Sequence, residues 1–316
     1  MKFKLIITIF LIIIALLVVN INNTTEQTYL PALIIMYDDG HKEDITKAFP
    51  IHQSHNVPAV SAVNSEIIGK KGVLNKRDLI KLENNGWEIA SHGKRHTALI
   101  YNSITKDIKK GEKNIFVNNS FLIETSYDYF IYNYIEDYGE EIRFKKVVSK
   151  DNEKYFELTK KIKNDYSQNN SYILLSTNSK NEEIITSKKE LAQMGLEVNN
   201  FVYPYNGFTS SAQAIVRDNY YFARGGRRIG EEFPDCFINE LPLLSYGIKG
   251  VSFETNQLRI DHIDILLKET NERKGLLVFY AHTANESFST ERLEYIIKKA
   301  KDLNYNITTF NRLIGN

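Results

Sequence analysis

Four short apolar runs constrain this chain most, because three of them end in a residue that can bind a metal or carry a proton. Leu33-Ile34-Ile35-Met36-Tyr37 leads into Asp38-Asp39-Gly40, Trp87-Glu88-Ile89-Ala90-Ser91 into His92, and Gly275-Leu276-Leu277-Val278-Phe279-Tyr280-Ala281 into His282. The fourth, Asn200-Phe201-Val202-Tyr203, stops at Pro204-Tyr205. Apolar stretches of this length read as buried strands, and the loops that follow strands are where α/β enzymes carry their reactive groups.

Asp38 and Asp39 are followed in the chain by His92-Gly93-Lys94-Arg95-His96, with imidazoles at i and i+4. A borderline cation such as Zn²⁺ takes His nitrogen and Asp oxygen, and a catalytic site uses three protein ligands with one position open for water. His92, His96 and one aspartate make three. The other aspartate is then free to take a proton from a water whose pKa the cation lowers. Each motif has a plainer meaning: Asp-Asp-Gly after a strand is an ordinary turn signal, and two histidines four apart fit one solvated helix face. Together they favour metal-assisted hydrolysis. The Pro204-Tyr205 turn can bring a backbone N–H and an aromatic wall to a pocket, against the alternative of a plain strand-turn. His282 sits where a general acid can face a substrate, against the alternative of a structural histidine.

These residues resemble the polysaccharide deacetylases of carbohydrate esterase family 4, the NodB homology domain. Asp38-Asp39-Gly40 matches the Asp-Asp-Gly of the first motif, and His92-Gly93-Lys94-Arg95-His96 matches the second, His-Ser/Thr-x-x-His, with glycine at the small position. Pro204 and Tyr205 match the third, Arg-x-Pro-Tyr, and residues 276–282 match the leucine-rich strand that ends in histidine. The resemblance implies an α/β fold, a distorted (β/α)7-type barrel, that removes N-acetyl groups from amino sugars of a cell-envelope or extracellular polysaccharide. It further implies Asp38 as general base, Asp39, His92 and His96 as metal ligands, His282 as general acid, and the Tyr205 backbone N–H as an oxyanion donor. Barrel chemistry at the carboxyl ends of strands agrees with the placement read from the apolar runs. The expected metal is Zn²⁺, with Co²⁺, Ni²⁺ or Mn²⁺ also accepted by a His₂Asp set.

Two positions depart from the family pattern. Val202 stands where many members have an arginine that orients the catalytic aspartate, and valine has neither charge nor donors. Arg224, Arg227 and Arg228 are candidates to replace it, against the alternative of a solvated basic loop. The Asp-Trp pair of the fourth motif is absent, since Trp87 is the single tryptophan. These departures motivate a catalytically impaired carbohydrate-binding envelope protein as one alternative. An O-acetyl esterase is the other, because the same oxyanion machinery serves an ester.

With 316 residues, 42% hydrophobic and 25% charged, the chain is long enough for one large barrel with additions. A net charge of +1, with no basic cluster interleaved with aromatics, gives no argument for nucleic acid. No protein partner is inferred. A single cysteine, Cys236, excludes an internal disulfide.

At the amino terminus Lys2 and Lys4 precede an apolar run over residues 5–19. A charged region before such a run predicts export. The run is shorter than the roughly 20 residues of a spanning helix, yet no Ala-x-Ala-like cleavage site follows it. The reading adopted is an uncleaved membrane anchor and linker over residues 1–28, with a deacetylase domain over residues 29–316 outside the cytoplasm; cleavage would make it secreted.

Residues 101–179 read as an inserted α+β subdomain rich in Tyr, Lys, Asn and Glu, followed by a helix over residues 181–195. Within it residues 121–123, 142–148 and 171–176 look strand-like, and residues 155–165 look helical. The aromatics of residues 127–134 allow two readings: stacking on sugar rings, or one buried face of a strand. The second is preferred.

Overall fold

Every residue of β1 (Ala32–Tyr37) is buried, and alternation sends its side chains into two different cores. Leu33, Ile35 and Tyr37 join a cluster with residues of the surrounding helices, such as Leu79, Leu266 and Ile296. Ala32, Ile34 and Met36 join a smaller one with Val60, Ala62, Ala90, Val202, Leu276 and Val278, all from strands. A strand covered on both faces needs an unbroken apolar sequence, as buried parallel sheets show. Full burial of each Leu or Ile contributes about 1.5–3 kcal/mol against exposure.

The structure, a computed structural model, describes residues 30–150, 153–241, 243 and 246–314. The expected amino-terminal anchor and linker, residues 1–28, therefore lie wholly outside the described residues. Among the described residues no helix is long and apolar enough to cross a membrane.

Strands β1, β2 (Val60–Val63) and β3 (Glu88–Ser91) come first. The next segment supplies β4 (Asn102–Ser103), β5 (Asn114–Ile115), β6 (Asp128–Asn133), β7 (Tyr138–Lys150), β8 (Glu153–Leu158) and β9 (Ser171–Leu175). They are followed by β10 (Asn200–Val202), β11 (Phe222–Arg224), β12 (Ile238–Asn239), β13 (Val251–Ser252), β14 (Leu276–Ala281) and β15 (Asn306–Thr308). The main sheet has the order β11-β10-β3-β2-β1-β14-β12, with β15 beside β1 and β13 beside β14. Its pairings are parallel except for β12 against β14. A bridge between Arg224 and Ile248 joins β11 to the chain entering β13, so the sheet curls back toward its own start. The carboxyl ends of the parallel strands consequently open on one side.

The second sheet, β4-β9-β6-β7-β8-β5, is antiparallel and built wholly from residues 102–158 and 171–175. Two local expectations are corrected here. Residues expected as a strand around Phe121 form a short 3-10 turn, Ser120–Leu122, with only Leu122 buried. The expected helix over residues 155–165 is instead β8 followed by an irregular stretch, because Phe156 and Leu158 face the core in alternation while Glu157 faces out. In β6 the alternation is plain: Tyr129, Ile131 and Asn133 are buried, with Phe130 and Tyr132 half-buried on the other face. The helical stretch before β10 begins earlier than expected, at Thr177, and runs through a π-turn (Glu182–Thr186) to Gln193.

Candidate active site

Tyr37, Ser91, Arg224 and Ala281 end four strands of the main sheet, and the residues picked from the sequence gather just beyond them. Asp38 follows β1 and is 2% exposed, its N–H donating to Ala281 O at 3.0 Å. Gly40 makes the turn possible: its φ is +65°, and a Cβ there would meet Val63 Cγ1 at 2.8 Å.

The strand beside Val202 brings an arginine to Asp38. Val202 and Arg224 are register partners in the β10–β11 pair. Val202 packs inside the curl, while Arg224, fully buried, donates from Nη2 to Asp38 Oδ2. Its Nη1 donates to Asn206 Oδ1, and the guanidinium lies 4.2 Å from the Tyr280 ring centroid. Asn206 Nδ2 in turn donates to the Tyr280 hydroxyl at 2.9 Å. The other oxygen of Asp38, Oδ1, is buried with no hydrogen-bond partner. Burial pushes the Asp38 pKa up, but the charges of Arg224, His92 and His282 outweigh it and leave it below the usual carboxylate range. Arg227 and Arg228 stand elsewhere. Arg227 lines a cleft of about 460 Å³ with Tyr205, Gln257 and Tyr280, and Arg228 pairs with Glu231 at 3.1 Å.

Asp39 Oδ1 is 3.6 Å from His92 Nε2 and 3.4 Å from His96 Nε2, and the two imidazole nitrogens are 3.1 Å apart. The three form a group that could hold a metal ion. His92 Nδ1 lies 2.9 Å from Val202 O. A carbonyl only accepts, so Nδ1 carries a proton, which leaves Nε2 as the nitrogen available toward Asp39. Burial, then the neighbouring His92, lowers the His96 pKa to about 4, which also favours a neutral ring with a free lone pair. One carboxylate oxygen and two imidazole nitrogens are a donor set that fits a divalent cation of the zinc kind.

His282 faces this group from β14, with Nε2 3.9 Å from Asp39 Oδ2. Its Nδ1 is 3.4 Å from Glu254 Oε1, an oxygen that also accepts from the His282 backbone N–H and from Asn285 Nδ2, each at 3.0 Å. Burial lowers the His282 pKa, but Glu254, Asp38 and Asp39 outweigh it and raise it to about 9. His41 Nε2 lies 3.6 Å from Asp39 Oδ2. Pro204 and Tyr205 lie in a tight turn (Pro204–Asn206) whose backbone bonds, Asn206 N to Tyr203 O and Gly207 N to Pro204 O, do not use the Tyr205 N–H. The Tyr205 ring packs on His96 with centroids 4.6 Å apart. Asp39, His96, Tyr205 and Asn206 all have left-handed φ, at 74°, 57°, 55° and 61°, an uncommon conformation for non-glycine residues.

Two contributors escaped the sequence reading. Glu254 follows β13, whose two residues are too few to show a periodic run. Glu183, fully buried in the π-turn, accepts from the backbone N–H of Arg95 at 3.0 Å and of Thr97 at 2.9 Å, and from the Tyr127 hydroxyl at 2.7 Å. It thereby holds the loop between His92 and His96. Gly93 has φ +83°, and a Cβ there would run into the Glu183 carboxylate. No short-range sequence signal connects Glu183 to that loop.

Residues 26–142 match the sequence model of the polysaccharide deacetylases. No curated protein sequence matches the chain. Among solved structures, the T48 deacetylase with substrate is 12% identical, covering 90% of this chain and 92% of that one with a TM-score of 0.48. A mutant of a family 4 carbohydrate esterase pseudoenzyme with restored activity is 13% identical, covering 91% and 69% with a TM-score of 0.49. A family 4 carbohydrate esterase from Bacillus anthracis is 13% identical, covering 91% and 86% with a TM-score of 0.46. Asp38, Asp39, His92 and His96 fall inside the span that is similar to the polysaccharide deacetylase model, and Arg224 and His282 lie beyond it.

Proposed function

We propose that the protein is a metal-dependent hydrolase that removes N-acetyl groups from amino sugars of an envelope or extracellular polysaccharide. One observation carries the reading: Asp38 is gripped through one oxygen by Arg224 while the other is buried, unpartnered and beside the Asp39, His92 and His96 group. A binding protein has no use for a carboxylate held in that way. The curled sheet is read as the distorted (β/α)7-type barrel, and the antiparallel sheet as an insertion in it.

In this reading Asp39, His92 and His96 hold the cation, with Zn²⁺ best suited to the donors. A divalent cation supplies Lewis-acid polarisation of the acetyl carbonyl and acidifies water. Asp38, kept ionised by Arg224, takes the proton of the attacking water through Oδ1. The Tyr205 N–H donates to the oxygen that becomes negative. His282, its Nδ1 facing Glu254, presents a protonated Nε2 and delivers that proton to the departing amine nitrogen. The two groups are driven apart in pKa by their surroundings, the usual basis of an acid and base pair.

The test is acetate release from N-acetylglucosamine oligomers, N-acetylated polysaccharide and acetylated xylan, with and without chelator and restored Zn²⁺. Activity lost to chelator and recovered with metal is expected, with the amide substrates preferred; preference for xylan would favour the esterase. Asp38→Asn should cut turnover by at least ~100-fold while bound metal, measured by atomic absorption, is retained. Residues 1–28 are read as an anchor that leaves the domain outside the cytoplasm. Resistance to external protease in intact cells would refute that.

A further inference from the structure

Phe121 is 68% exposed, yet the turn that carries it is firmly held. Leu122 beside it is buried, Asn102 Nδ2 donates to Asn119 O at 2.9 Å, and Asn119 N donates back to Asn102 Oδ1 at 3.2 Å. Ser103 O accepts from Asn118 N at 3.0 Å, extending the same seam. A single exposed apolar side chain is ordinary on a protein surface. This one is not isolated: its ring lies 6.1 Å from that of Tyr205 at 66°, and Tyr205, itself 43% exposed, packs on the candidate ligand His96. Three rings thus run outward from the candidate metal site, the last contributed by the segment that forms the second sheet.

Sugar rings present apolar C–H faces and polar edges, so a half-exposed aromatic face beside a deacetylation site suits a pyranose better than a charged or peptide ligand. We propose that Phe121, with Tyr205, forms a subsite for the sugar adjoining the one that is deacetylated. The inference rests on the deacetylase reading for its substrate class. The aromatics of residues 127–134, by contrast, line β6 and touch neither His96 nor Tyr205 among the ring contacts of the described residues.

The experiment compares wild type, Phe121→Ala and Phe121→Trp, zinc-loaded, on the N-acetylglucosamine tetramer and on N-acetylglucosamine, by acetate release and by calorimetric binding of the tetramer. For Phe121→Ala the tetramer-to-monomer ratio of kcat/KM should fall about five- to tenfold, the scale of one aromatic contact, mostly through KM, and Phe121→Trp should restore it. An unchanged ratio overturns the subsite, as does an equal loss on both substrates, which would mark Phe121 as structural. If wild type binds the tetramer without releasing acetate, and Phe121→Ala weakens that binding, the subsite stands and the deacetylase reading falls. Failure of wild type both to bind and to hydrolyse the tetramer overturns the subsite.

Discussion

Arg224 does three things at once: it grips Asp38, donates to Asn206 Oδ1, and lies against Tyr280. Only a planar, multi-donor cation can do so, and a lysine ammonium cannot. Replacing it with methionine leaves a buried carboxylate without its counter-charge, and removing a charge that lowers the Asp38 pKa must raise that pKa. Arg224→Met is therefore expected to shift the acidic limb of the pH–rate profile to higher pH and to lower kcat/KM. Breaking such a buried pair costs about 3–5 kcal/mol, so a large drop in Tm should accompany it. Arg224→Lys should recover stability only in part, and an unshifted acidic limb in either variant would remove Arg224 from its proposed role. In the sequence the gap was visible at Val202, and Arg224 was one of three candidates to fill it. Choosing among them needed the β10–β11 register, which sets Arg224 beside Val202 and which local sequence does not encode. Glu254 was invisible for a related reason, as a two-residue strand gives no pattern to read.

Among elements, the π-turn before β10 matters most, since Glu183 links the His92–His96 loop to Tyr127 of the second sheet's segment. Arg95 adds to this seam, its guanidinium 4.8 Å from the Tyr127 ring centroid. Glu183→Ala removes the acceptor for two loop N–H groups and should weaken Zn²⁺ binding at least about tenfold in a competition titration, the scale seen for groups that orient metal ligands. Glu183→Gln keeps an acceptor oxygen and should bind nearly as wild type does. Burial raises the Glu183 pKa to about 7, above the ordinary glutamate value of an unfolded chain. Its contribution to stability is thus full below that ordinary value and is lost as pH rises toward 7. Melting curves from pH 5 to 8 should show wild type losing a few degrees relative to Glu183→Gln, and parallel curves would contradict this. Long apolar elements such as β1 and β14 were legible because burial on both faces writes itself into composition. The second sheet was legible in part: residues 142–148 and 171–176 read as strands and lie in β7 and β9, and the aromatics of residues 127–134 read as a strand face and lie mostly in β6, but β8 read as a helix and the Phe121 turn as a strand.

Across the whole molecule, one hydrophobic cluster takes in Leu33 and Phe279 of the main sheet together with Tyr129, Phe144 and Phe156 of the second. A shared core should melt as one unit. Calorimetry is expected to give a single transition with a van't Hoff enthalpy close to the calorimetric one, whereas two resolved transitions would mean that the sheets fold separately. The α/β class could be read from the apolar runs, but the direction of the curl and the strand that closes it could not, because both depend on pairings distant in sequence. Asp38 and Arg224, whose contact orients the proposed base, are separated by 186 positions in the chain. Asp39, His92 and His96 lie in its first third, whereas Arg224 and His282 come from its last. The candidate cation-holding group itself leans on later residues, Glu183 at its loop and Val202 O at His92 Nδ1. A chain clipped beyond β9 would keep Asp39, His92 and His96 yet lose both Glu183 and Val202, so it should take up metal poorly as well as being silent as a hydrolase, and metal content would then report how much of a preparation has matured.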